Sequence, residues 1–116
     1  MYDNNNIFAK ILRKEIPCDK VYEDEFSLFF KDINPQAKIH ILGIPKLPCT
    51  TFSDFIKKAD NKNISSFFKS VQIVINDLNI EKNGYRLITN SGDDGGQEVP
   101  HFHVHILAGE KIGSLR

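Results

Sequence analysis

The chain has no tryptophan, only two cysteines and no excess charge of either sign. Each shortage removes a class of protein. Cys18 and Cys49 are isolated and form no C-x-x-C pair, so the sequence encodes neither a disulfide framework nor a thiolate zinc site. No basic leader runs into a long apolar stretch, and with so few cysteines this predicts a reduced, cytosolic protein. Fifteen Lys and Arg balance fifteen Asp and Glu, which leaves no field to draw the chain to nucleic acid or an anionic membrane. No apolar run approaches the roughly 20 residues that a membrane-spanning helix needs. Recognition of any phosphate must therefore be local.

What is present is a chain of 116 residues, 41% hydrophobic and 10% aromatic. That is enough for one core and too little for two, so residues 1–116 are expected to form a single domain. Short chains leave apolar surface that a second copy can cover, which favours an oligomer.

The apolar spacing predicts a first helix over Ile7 to Ile16, stopped by Pro17. Val21-Tyr22 and Phe26 to Lys31 look extended and suggest a hairpin turning at residues 23–25. After Asn34-Pro35, the β-branched run Ala37 to Ile44 reads as a central strand. Thr50, Thr51 and Ser53 offer N-caps for a short helix over Asp54 to Ala59, and the polar residues 60–63 are expected to break it. Ile64, Phe67, Phe68, Val71, Ile75 and Leu78 make the stripe of a longer helix. Tyr85 to Asn90 and Val99 to Ala108 read as the last two strands, joined by a glycine-rich loop. This order is not the alternation of a parallel doubly wound sheet, so the fold class is α+β with a mostly antiparallel sheet. Lys57, Lys58 and Lys62 read as a solvated helix end rather than a binding patch.

Three of the four histidines are His101, His103 and His105. Strand side chains alternate faces, so the three rings share one face while Phe102, Val104 and Ile106 pack the other. A lone strand histidine is ordinary; three at period two ask for a function. Such a trio can chelate zinc, and metal binding is the strongest competing reading. No Asp, Glu or Cys of matching parity adds a further ligand, since Glu98 and Glu110 lie outside the stretch, and no metal is assigned. The alternative is a nucleophilic imidazole whose second nitrogen donates to a fixed acceptor. His103 is placed for it, with His101 and His105 about 6.8 Å away along a strand, able to flank a reacting phosphorus and move protons. In the loop from Ser91 to Gly96 the glycines would let backbone amides approach an anion, and Asn90 and Gln97 add side-chain amides. Read alone, the loop is equally an ordinary turn.

The run Gly96-Gln97-Glu98-Val99-Pro100-His101-Phe102-His103-Val104-His105 resembles the defining motif of the histidine triad (HIT) family. Phe30-Lys31-Asp32-Ile33-Asn34-Pro35-Gln36-Ala37, with His40 and Ile44-Pro45-Lys46, is similar to its nucleotide-binding half. Ile7-Phe8-Ala9-Lys10-Ile11 and Ile16-Pro17 match as well, so the likeness spans nearly the whole chain. It is strongest to the histidine triad nucleotide-binding branch, whose members are homodimers that hydrolyse purine nucleoside phosphoramidates and aminoacyl adenylates.

The resemblance implies a five-stranded, mostly antiparallel sheet, one long and one or two short helices, and a sheet continued across a homodimer. It also implies that His103 attacks the α-phosphorus, that the His101 carbonyl holds His103, and that His105 and His40 complete the cluster and help protonate the leaving group. Asp32 would accept hydrogen bonds from the ribose hydroxyls, and Ile7, Phe8, Ile11, Phe30 and Ile33 would line the base pocket. Asn90, Gly96, Gln97, Glu98 and Val99 would complete the nucleotide-binding residues. No cofactor is implied.

Departures from the family pattern bear on this. Relatives with a zinc site place Cys and His where this chain has Asn6, Ala9 and Pro48. Glu98 stands where several relatives have a serine that contacts the leaving group. The chain ends at Arg116, before the tail that in relatives helps shape the partner's site, which leaves leaving-group preference open. Two other functions stay in view. One is hydrolysis of dinucleoside polyphosphates, against which Leu107-Ala108-Gly109 speaks, because that branch continues with Leu-Pro. The other is a non-catalytic nucleotide-binding regulatory module.

Overall fold

A computed structural model describes residues 1–114, so the expectation attached to the chain end at Arg116 lies outside the described residues. Eight elements follow one another: α1 (Ile7–Leu12), β1 (Lys20–Glu23), β2 (Ser27–Lys31), β3 (Ile39–Pro45), α2 (Phe52–Lys58), α3 (Asn61–Asp77), β4 (Arg86–Ile88) and β5 (Val104–Ala108). The five strands form one antiparallel sheet in the order β1-β2-β3-β5-β4. The α+β class, the five strands and the central place of β3 are as the sequence predicts. No described helix is long and apolar enough to cross a membrane.

Alternation along the strands divides the sheet into two unlike faces. Phe29, Ile41, Val104, Ile106 and Ala108 point to one side and meet Phe55 of α2 and Phe67, Val71, Val74 and Ile75 of α3. Leu28, Phe30, Leu42 and Ile44 point to the other, where Phe8 and Ile11 of α1 cover them. On the first face Phe102 stacks on Phe55 with ring centroids 4.9 Å apart. Gly43 lies opposite Phe29 in the β2–β3 register, and a Cβ there would meet the Phe29 ring at 2.3 Å. The glycine is the space that the ring occupies.

Several boundaries differ from the sequence expectation, each for a local reason. The first helix stops at Leu12, because Arg13 caps it and Lys14 turns into the left-handed region at φ 64°. Residues 60–63 do not break a helix but begin one: the Asp60 carboxylate accepts from Asn63 N–H, and α3 starts at Asn61. Phe68, expected in the stripe, is 39% exposed, while Phe67, Ser70, Val71, Val74 and Ile75 form the buried side. The fourth strand covers only Arg86–Ile88. The last strand begins at Val104 rather than Val99, since the preceding stretch is tied elsewhere. Phe102 N–H donates to the Cys49 carbonyl at 2.9 Å, and the Thr89 hydroxyl donates to the His103 carbonyl at 2.8 Å.

Candidate active site

The sheet face covered in part by α1 also carries four imidazoles. His40 on β3 and His105 on β5 are diagonal neighbours, since His40 pairs with Leu107 and Leu42 with His105. His103 and His101 lie just before β5. They keep the side-to-side alternation of the strand although no ladder holds them, with Phe102 and Val104 in the opposite core. His103 and His105 meet edge to face, ring centroids 5.0 Å apart.

The protonation of each ring follows from partners that can act in only one sense. The His101 carbonyl can only accept, and it lies 2.7 Å from His103 Nδ1. The His103 proton is therefore on Nδ1, and Nε2 carries a free lone pair. The Pro45 carbonyl lies 2.8 Å from His101 Nε2, which puts the His101 proton on Nε2 and leaves Nδ1 to accept from the Tyr2 hydroxyl at 2.6 Å. The Gln36 N–H donates to His40 Nδ1 at 3.0 Å, so the His40 proton is on Nε2. That proton faces His105 Nδ1 at 2.9 Å and Asp32 Oδ2 at 3.3 Å. When His40 donates to His105, the His105 proton is on Nε2.

All four rings are held neutral. Burial lowers the pKa of His101 to about 4, against the opposing pull of the Pro45 carbonyl. Burial, then the neighbouring His103 and His40, lowers His105 to about 4. His103 is lowered by burial too, with the His101 carbonyl, Asp32 and Glu98 opposing. His40 is lowered by burial despite Asp32 beside it. A neutral ring with one aimed lone pair is what a nitrogen nucleophile requires.

The other expected residues are distributed unevenly around this centre. Asp32, one residue past β2, donates its N–H to the His40 carbonyl and accepts from Asn34 N–H through Oδ1 at 2.8 Å. Phe8, Ile11 and Phe30 are buried core residues. Ile7 is 54% exposed and Ile33 fully so, two apolar side chains with nothing over them among the described residues. Phe8 links core and site, its ring edge-on to His103 at 5.0 Å. Asn90 and Val99 are half-buried and Glu98 is exposed.

Three readings from the residues alone are corrected here. His101 does not flank a reacting atom, because it is wholly buried with both ring nitrogens engaged. The Gln97 amide is not free for a phosphate: Nε2 donates to the Thr50 and Val99 carbonyls and Oε1 accepts from Gly92 N–H. The loop's own turns likewise use the N–H groups of Gly96 and Gln97, which donate to Asp93 and Gly92 carbonyls. Lastly, further metal ligands need not be neighbours in sequence, and the sheet brings two of them to His105. Asp32, His40 and His105 each offer one donor atom, all within 4.8 Å of one another. A divalent cation there would have to displace the proton on the 2.9 Å His40–His105 contact.

Sequence reasoning missed Tyr2, Gln36 and Pro45, whose polar groups set the tautomers. Tyr2 lies 99 residues from its partner His101, and no local signal joins them.

Comparison with known proteins gives a consistent result. The HIT domain model matches residues 13–112. The chain is 47% identical over 114 residues to a 13.2 kDa HIT-like protein of Azospirillum brasilense, covering 98% of this chain and 93% of that one. It is 39% identical over 109 residues to the purine nucleoside phosphoramidase of Escherichia coli K12, covering 94% and 91%. Among solved structures, a histidine triad protein from Clostridium difficile matches with TM-score 0.86 at 39% identity over 100% of both chains. A HIT family hydrolase from Legionella pneumophila matches with TM-score 0.87 at 37% identity, covering 94% and 96%.

Proposed function

The chain belongs to the HIT domain family, and from that premise we propose that it is a hydrolase of purine nucleoside 5'-phosphoramidates working through a covalent nucleotidyl-histidine on His103. One observation carries the reading: the His103 Nδ1–H is committed to the His101 carbonyl at 2.7 Å, and burial keeps the ring neutral. The free Nε2 lone pair is thereby aimed without first losing a proton. The similarity to a purine nucleoside phosphoramidase supports the choice of substrate.

Nε2 of His103 attacks the α-phosphorus, the phosphorus–nitrogen bond breaks, and the amine leaves with a proton. Water then attacks the phosphorus of the nucleotidyl-histidine and returns free nucleotide and neutral His103. The proton on the departing amine comes from solvent, because every ring of the cluster is neutral; His105, beside the reacting ring and oriented by His40, donates its Nε2–H as a hydrogen bond to the leaving nitrogen. The Asp32 carboxylate accepts from the ribose hydroxyls, a role its two oxygens suit. Ile7 and Ile33, apolar and exposed, offer the base a surface.

The test is rapid-quench mass spectrometry of the intact protein mixed with adenosine 5'-phosphoramidate. A single nucleotidyl adduct is expected on the wild-type chain and none on His103→Ala, which should still bind AMP while losing on the order of 10³-fold or more in turnover. Turnover surviving in His103→Ala would end the proposal.

A further inference from the structure

We propose that Tyr2 is a positioning residue for this reaction, its hydroxyl fixing the buried His101 ring by the second nitrogen and so holding the carbonyl that aims His103. The geometry has two links. The Tyr2 hydroxyl donates to His101 Nδ1 at 2.6 Å, and His101 Nε2–H donates to the Pro45 carbonyl at 2.8 Å. A ring anchored at one nitrogen can swing about that bond, whereas a ring anchored at both cannot. The carbonyl of the same residue is the acceptor for His103 Nδ1–H, so play in residue 101 becomes misdirection of the nucleophile.

No other described group substitutes for the hydroxyl. His101 is fully buried, and without Tyr2 its Nδ1 would be an acceptor with no donor inside the protein, the costly kind of polar atom. Tyr2 is itself held in place. Asn6 donates to the Asp3 carbonyl through both its backbone and its side-chain amide, and the Arg13 guanidinium donates to the Asn4 carbonyl at 2.8 Å. The residues ahead of α1 thus form a folded strap. The Tyr2 ring meets His101 edge-on at 5.6 Å, and Phe8 stands edge-on to His101 at 6.4 Å. These apolar contacts survive loss of the hydroxyl, so Tyr2→Phe removes one hydrogen bond and little else.

The kinetic arm of the test rests on the phosphoramidase reading; the spectroscopic arm does not. In Tyr2→Phe, kcat for adenosine 5'-phosphoramidate is expected to fall about tenfold with KM changed less than about twofold, the pattern of a displaced reacting group rather than lost binding. In ligand-free protein labelled with ¹⁵N at histidine, the His103 Nδ1–H resonance should move upfield and exchange faster with water, while the His40 and His105 signals stay. Asp60→Ala is the control for general destabilisation: it removes the N-cap of α3, and should lower Tm while leaving kcat and the His103 signal unchanged. Should Tyr2→Phe lower Tm with kcat and the His103 resonance unmoved, or raise KM alone, Tyr2 is a structural residue and the proposal is wrong. If the wild-type chain turns over no phosphoramidate, only the substrate reading fails, and the His103 resonance still decides the role of Tyr2.

Discussion

A histidine that is neutral in the folded chain and ordinary in the unfolded one must gain a proton as the chain unfolds in acid. For His101 the folded pKa is about 4 against a usual 6.5, so between those values the unfolded state binds more protons. Stability is then complete above pH 6.5 and is lost progressively as pH falls toward 4. This ring alone accounts for about 2 kcal/mol between pH 7 and pH 5. Guanidinium denaturation at the two pH values measures it, and equal midpoints would contradict the assignment. The carboxylates held low by partners, such as Glu23 beside Lys46 and Asp54 under the Thr50 amide, lose their contribution only in stronger acid, so the window separates the two. On the activity side, lowering of the His103 pKa places the acid limb of kcat/KM for a phosphoramidate below pH 6.5. A limb above that value would mean that the nucleophile is not this buried ring.

Between consecutive strands, the close fit is between a ring and a missing side chain. Gly43→Ala pushes a methyl group into Phe29 and is expected to destabilise by roughly 1–3 kcal/mol, the range of core overpacking. Phe29→Leu combined with Gly43→Ala should recover part of that loss in urea titration; simple additivity would argue against the contact. The same scale shows what was legible in the sequence. The period-two pattern from His101 to Ile106 reported sidedness correctly, because an extended chain alternates its side chains with or without a ladder. It could not report where hydrogen bonding begins, because Cys49 and Thr89, which hold residues 102 and 103, are distant in sequence. The His40–His105 contact depends on the β3–β5 register and was reachable only through the family likeness. The commitment of Gln97 to Thr50 and Val99 left no mark in composition or spacing.

Considered whole, the molecule has one sheet with two different edges. On β1, Lys20 and Glu23 form an ion pair, and charge of this kind deters strand pairing. On β4, Leu87 is 44% exposed, and Tyr85 just before it 38%. An apolar edge of this kind suits pairing with a second copy, and we propose the homodimer there, its sheet continuous through β4. Sedimentation equilibrium is expected to give a dimer for the wild-type chain and a shift toward monomer for Leu87→Lys; an unchanged mass for that variant would move the interface elsewhere.

The two-faced construction of β5 also bears on how such a chain can diverge. On one face it carries His105 beside the other imidazoles, and on the other Val104, Ile106 and Ala108 serve the helix-side core, so a residue exchanged in place disturbs one function at a time. An insertion or deletion of a single codon within 104–108 would instead trade imidazole for hydrocarbon on both sides at once. Length in this segment is therefore expected to be far more constrained than identity, and lineages should drift here by replacement alone.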